Sequence, residues 1–407
     1  MTTLQTWRKQ IEIYLPLFLI VAFVFLGLAN PIARVILLII GMYIVYSMVK
    51  CQRMISRPVV FNVFSLILLN FIYFLLSDKT IRGAYTMDIT TFGYFANLFL
   101  NLGVFFVPYY YVQKDKFNDN NIKIFFVFLF LASLYSFMIE REEAMIERDG
   151  RATLNAVYGL VIILPYLFLF KNKIITLAFL GAALYCVLWG SKRGAIVIFI
   201  VFSVYYLYIR FYKRTERMRF LMPIIAIAIF MAGYYFAQKI FMENEYLQLK
   251  YDLAMAGDTN GREELYNKIF NKWSSENSIF HILFGYGFNS SMVITGGTRA
   301  HNDWFELMAT AGLLGILVFI SLFVRLIQTH FSFKKYDRMY IIDSIIIIWG
   351  LRSLFSMSYM DVNNMPLCFI LGYELSKIHK AFKVKFSKVK YRDKISMILH
   401  EHTSGIL

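Results

Sequence analysis

The chain has 407 residues, of which 59% are hydrophobic, 18% aromatic and 17% charged, with a mean hydropathy of +0.57. Soluble chains carry about 25% charged residues, and a water-soluble fold of this size could not hide so much apolar surface. The formal charge of +16 is no sign of nucleic acid, because the basic residues lie between apolar runs and in the tail, where orientation signals stand in a membrane protein.

Repeated apolar runs of about 18 or more residues, the length that crosses a bilayer, give the fold class: all-α, a polytopic integral membrane protein with about twelve spans. In chain order the spans are read at 11–29, 32–49, 59–76, 91–112, 124–138, 152–170, 174–190, 194–212, 220–238, 303–324, 339–357 and 364–379. Arg8 and Lys9 precede the first run, Ile11 to Ala29. That run is too long for a signal-peptide core and lacks a small-residue cleavage site, so it is expected to be retained. The resulting organisation is spans one to nine over 1–238, a large external loop over 239–302, spans ten to twelve over 303–379, and a basic tail over 380–407.

Lys and Arg set the orientation. "KCQRMISRP", "QKDKFNDNNIK" and "RFYKRTERMR" fall on the same side as both termini, whereas the acid-rich "IEREEAMIERDGR" falls on the other. The positive-inside rule then puts both termini in the cytoplasm. The tail "KAFKVKFSKVKYRDK" interleaves lysines with apolar residues. It either anchors on anionic inner-leaflet lipid or docks a cytoplasmic partner. Cys51, Cys186 and Cys368 show no metal-ligand spacing and no disulfide framework, so they are read as structural thiols.

The late loop is out of scale, and long loops tend to be functional. Within it "GREELYNKIFNKW" has helical period: Leu265, Tyr266, Ile269, Phe270 and Trp273 share one face, and charged or amide residues the other. Such a helix lies in the membrane surface or caps the bundle. "FGYGFNSS" and "TGGT" are glycine-rich turns that let backbone pass close to a neighbour. The chain shows no internal repeat, and its long connection follows span nine rather than six, against a transporter built of two parallel halves.

The tenth span opens with "TRAHNDWFELMATAGLLG", Thr298 to Gly315, which also carries a lone acid at Glu306. Asn302 or Asp303 is the N-cap, and Gly312 and Gly315 let a neighbouring helix pack close. His301 would then be held at a helix entrance near water, where an imidazole exchanges protons near neutral pH; the alternative is an interfacial histidine bonded to a headgroup. "WGSKRGA" places Lys192 and Arg193 in a short external turn against the orientation bias. These cations either grip phosphate oxygens or snorkel to the boundary. Arg262 stands beside acids in "DTNGREE" and either pairs with them or serves the site. Arg352 lies inside span eleven, with Asp361 or Asp343 as its structural partner. No dinucleotide fingerprint, phosphate loop, zinc-protease helix or serine elbow occurs.

The ordered set His301, Asn302, Gly312 and Gly315, with the "SKRG" turn, the "GREELY" arginine and "LFGYGFNSS" before it, resembles the O-antigen ligase and Wzy polymerase superfamily. In motif the resemblance covers about Trp189 to Val324. It implies a glycosyltransferase of the C-type-like membrane class with a large late periplasmic loop, in the bacterial inner membrane, with its active site on the periplasmic face. The implied chemistry is inverting glycosyl transfer without metal or other cofactor, from a glycan on undecaprenyl pyrophosphate. Carried over by motif, Arg193 and Arg262, with Lys192 beside them, would bind the pyrophosphate. His301 would be the base, and Asn302, Gly312, Gly315 and Arg352 would support it. The expected partners are the lipid-linked oligosaccharide, a glycan or lipid A core acceptor, membrane lipid and a chain-length regulator. The first expectation is a repeat-unit polymerase. The second is a ligase acting on lipid A core or protein, and the third, from another class, is a transporter.

Overall fold

The structure is a computed structural model that describes residues 3–27, 30–77, 80–82, 88–148, 153–212 and 261–382, with a few positions between 238 and 252. The expected ninth span, the first part of the large loop and most of the basic tail lie outside the described residues.

The described residues form helices throughout, apart from a short antiparallel pair, β1 (Thr80–Arg82) and β2 (Asp88–Thr90). The helices are α1 (Thr3–Leu26), α2 (Pro31–Lys50), α3 (Pro58–Leu76), α4 (Thr91–Gly103), α5 (Phe106–Gln113), α6 (Asp119–Arg148), α7 (Val157–Ile162), α8 (Lys173–Trp189) and α9 (Arg193–Leu207). After the undescribed stretch come α10 (Arg262–Ser274), α11 (Ile279–Phe284), α12 (Ser290–Thr295), α13 (Asp303–Ser332), α14 (Met339–Phe355) and α15 (residues 365–382).

Among the described residues, six helices have the length and apolar composition to cross a membrane: 31–50, 58–76, 91–113, 119–146, 193–210 and 303–332. Residues 10–26, 157–169 and 173–189 are shorter apolar helices. This is the helical pattern of a polytopic membrane protein. Three expected spans differ in form. The stretch 91–112 is divided between α4 and α5 by a turn at Val104 and Phe105. The stretch 152–170 is not one helix: α7 ends at Ile162 and a 3-10 turn, Leu164–Leu169, follows with Pro165 in its first turn, because proline removes a helical donor. The fifth span is longer than the run 124–138, since α6 continues to Arg148 through Glu and Arg residues that favour helix.

α1 packs on α6 and α2, α3 on α4 and α13, and α14 on α13 and α9. Lipid offers no hydrophobic drive between helices, so packing and buried hydrogen bonds hold them together. Phe319 on α13 lies at the centre of one such contact, with ring centroids 5.2 Å from Trp304 and 6.5 Å from Trp349 of α14. Asn62 of α3 donates to Ser321 of α13 at 2.8 Å. At the opposite end from the His301 segment, Arg338 donates to both carboxylate oxygens of Asp119 at 2.7 Å and pairs with the buried Glu374. Cys51, Cys186 and Cys368 are buried free thiols.

Candidate active site

One end of the bundle gathers the starts of α9, α10 and α13 and the end of α14. The entrance to α13 is tied down by side chains. Asn302 is the N-cap, accepting from the backbone N–H groups of Trp304 at 2.9 Å and Phe305 at 3.3 Å. Its amide donates to the carbonyl of Leu354 at 3.0 Å, and Trp304 Nε1 donates to Ser353 at 3.1 Å. The fully buried Asp303 accepts from the N–H of Ser358 at 2.7 Å and from its hydroxyl. Asn101 of α4 holds the same loop, donating to the carbonyls of Ser358 and Tyr359 at 2.8 and 2.9 Å.

Between these anchors His301 adopts φ +52°, a left-handed conformation that costs a non-glycine residue free energy and gathers at functional positions. Its imidazole keeps surface open to solvent while protein crowds around it. That crowding lowers its pKa below the ordinary histidine value, and the positive charges of Arg262, Lys192 and Arg299 lower it further. Both effects favour the neutral imidazole, the form that can accept a proton.

The "GSKRG" turn is fixed by its neighbours. A Cβ on Gly194 would lie 2.5 Å from the Tyr158 hydroxyl and 2.7 Å from Phe355 Cβ, so only glycine permits this approach. Lys192 Nζ donates to Asn155 Oδ1 at 2.9 Å. Arg193 is the first residue of α9 and its side chain is exposed. Arg262, at the start of α10, donates to the carbonyl of Phe355 at 3.0 Å, the residue that also abuts Gly194. α10 lies as its pattern requires: Ile269 is buried, Tyr266 stacks on Phe305 at 4.5 Å, and Trp273 donates to the carbonyl of Ile282 at 3.1 Å. Phe270, on the same expected face, is nevertheless exposed.

The motif cations Arg262 and Lys192, and outside the motif Arg299, act on His301 through their charge. Arg299 was not singled out by sequence. Its guanidinium lies 3.4 Å over the Tyr94 ring and donates to Asn289 Oδ1 at 2.8 Å. The available signal was its position, two residues before His301. Arg352 is structural: it is buried, pairs with Asp361 and donates to Asn364 at 2.7 Å. Asp343, the other partner considered, instead accepts from Tyr205 at 2.8 Å and faces His330 at 2.6 Å.

The glycines of the motif have separate jobs. Gly312 breaks α13 with φ +55° and ψ −147°. A Cβ there would come within 2.6 Å of Gly285 N and Ile282 O. The close approach lets Tyr286 and Gly287 donate to the carbonyls of Ala309 at 2.8 Å and Thr310 at 3.1 Å, acceptors that the break leaves without helical partners. A Cβ on Gly315 would meet the Ala311 methyl at 2.7 Å, inside the same helix.

A family model described as O-antigen ligase matches residues 177–320, a segment that contains Lys192, Arg193, Arg262, Arg299 and His301. No curated protein matches the chain.

Proposed function

From the match of residues 177–320 to the O-antigen ligase family model, we propose that the chain joins lipid-linked repeat units of a surface polysaccharide. The family supports a role in O-antigen or surface-polysaccharide assembly; the finer reading is a polymerase that uses a glycan on undecaprenyl pyrophosphate. One observation carries it: His301 stands in a left-handed turn at one end of an apolar bundle, crowded by protein and acted on by the charges of Arg262, Lys192 and Arg299. Fixed cations in a partly dry site stabilise a leaving diphosphate, and a neutral imidazole can take the acceptor proton.

In the proposed step an acceptor hydroxyl oxygen attacks the anomeric carbon. The new C–O bond forms as the bond from that carbon to the diphosphate oxygen breaks, with inversion. The hydroxyl proton passes to His301, and the lipid diphosphate leaves with its electron pair against the cations. No metal is needed for this balance. Arg193, exposed beside Lys192, would meet the headgroup at the mouth of the site. An apolar groove of about 1060 Å³ between α2 and α4, walled by Leu37, Val45, Phe95 and Phe99, also has in its wall Tyr94, the residue whose ring lies under Arg299. It would take the lipid tail. The protein would sit in the bacterial inner membrane with both termini cytoplasmic and this end periplasmic, an orientation that the distribution of Lys and Arg supports.

The family description favours a second reading, ligation to lipid A core. Purified protein with lipid-linked donor separates them. Elongation with donor alone supports the polymerase; product only with lipid A core overturns it in favour of the ligase.

A further inference from the structure

Beside the cationic cluster lies a cavity of about 410 Å³, within the size range of small-ligand sites, about 300–1000 Å³. α1, α6, α7 and the loop after α14 enclose it. Ser133, Ser136 and Glu140 of α6 line it together, three polar residues on one helical face at steps of three and four. A polar stripe in an apolar span is costly in lipid and is kept where it faces a wet or occupied cavity. Glu140 is fixed by accepting from the N–H groups of Asn155 at 2.7 Å and Ala156 at 2.6 Å.

The wall of the cavity adjoins the site. Its wall residue Asn155 accepts from Lys192. Ser356, also in the wall, follows the residue whose carbonyl holds Arg262. The ring of Tyr158 lines the cavity and has Arg352 at 5.1 Å. Among the described residues the lining includes the two carboxylates Glu140 and Asp361 and no lysine or arginine. Arg352 pairs with Asp361 from behind the wall. The lining therefore offers oxygen acceptors and an aromatic ring, and repels anions.

The geometry points to a sugar subsite: the cavity holds one uncharged or amino-bearing pyranose of the glycan, with its hydroxyls donating to the α6 oxygens, and rejects uronate and phosphate. This inference rests on the glycosyltransferase reading and extends it by naming the class of sugar. The ring could belong to the donor glycan or to the acceptor glycan, and kinetics distinguish the two.

The test fills the cavity. Ser136→Phe blocks it from α6, and Asn363→Trp narrows its exposed rim should the first variant fail to fold. Leu131→Phe, on the lipid-exposed side of α6, is the control for added bulk. Donor is the lipid-linked oligosaccharide extracted from the strain that carries the protein, and acceptor is the oligosaccharide released from it. The cavity-filling variants should raise one KM about tenfold or more, equivalent to ~1.4 kcal/mol. A rise in acceptor KM places the ring on the acceptor, and a rise in donor KM places it on the donor. Saturation-transfer NMR of the wild type should detect methyl glucoside or glucosamine, and not glucuronate, and the signal should vanish in Ser136→Phe. Wild-type transfer with both KM values unchanged in folded variants, or equal binding of glucuronate, overturns the sugar subsite. No transfer by the wild type, with the NMR pattern as expected, overturns the glycosyltransferase reading instead.

Discussion

Gly312→Ala attacks the place where two distant motif segments meet. At φ +55° and ψ −147° an alanine is strained by about 1–3 kcal/mol. The added methyl would also stand 2.6 Å from Gly285 N and Ile282 O and 2.8 Å from the carbonyl carbon of Leu283. All three are backbone atoms, so relief requires the α11 turn to withdraw. Withdrawal loses the bonds from Tyr286 to Ala309 and from Gly287 to Thr310, each worth about 1 kcal/mol net. The expected total is roughly 3–5 kcal/mol, a large share of the stability of any protein. The detergent-solubilised variant should show a markedly lower Tm and reduced glycan transfer. Gly315→Ala keeps ordinary helical backbone and should cost less. A Gly312→Ala protein with wild-type Tm and transfer would refute the reasoning that this break exists to admit the Gly285 turn.

Arg299 should behave as a donor-binding cation. Arg299→Ala loses its stacking on Tyr94 and its bond to Asn289, and should raise donor KM about tenfold or more, while Arg299→Lys recovers only part because lysine lacks the planar fork. Unchanged donor KM in both would leave Arg299 as a packing residue. The pH profile tests the electrostatics. A base acts when deprotonated, and the His301 pKa is lowered first by crowding and then by Arg262, Lys192 and Arg299. The acid limb of kcat/KM should therefore fall below the ordinary histidine value of about 6.5. Lys192→Met removes one repelling charge and should move that limb upward; a downward shift contradicts the assignment. At the other end of the bundle, Arg338→Ala leaves the buried Glu374 without its ion pair and should destabilise by about 3–5 kcal/mol, read as a lower Tm; an unchanged Tm would show that the pair holds nothing together.

Much of the helical frame was legible because a bilayer demands long apolar runs; α2 and α3 follow theirs closely, and α13 starts where expected but runs on to Ser332. The break at Ile163 depended on how Pro165 and its neighbours pack, and the extension of α6 on helix propensity beyond the apolar run. At the site, Asn302 was readable as a cap because its short amide precedes the helical period. Sequence narrowed the partner of Arg352 to two acids, and tertiary contact chose Asp361. Arg299 was not legible, since its support comes from Tyr94, Asn289 and Met357, which only folding brings together. Nor could sequence say that Lys192 turns toward Asn155 while its neighbour Arg193 is exposed, because adjacent residues at a helix entrance point to different sides.

The central claim is that His301 takes the acceptor proton, and the most direct measurement compares transfer by wild type, His301→Ala and His301→Gln with purified lipid-linked donor. Glutamine can donate a hydrogen bond but cannot accept a proton at neutral pH. The account predicts that both variants accumulate and fold normally, still bind donor, and lose transfer by about 100-fold or more, the scale of general-base catalysis. Transfer near the wild-type rate in His301→Gln would contradict it.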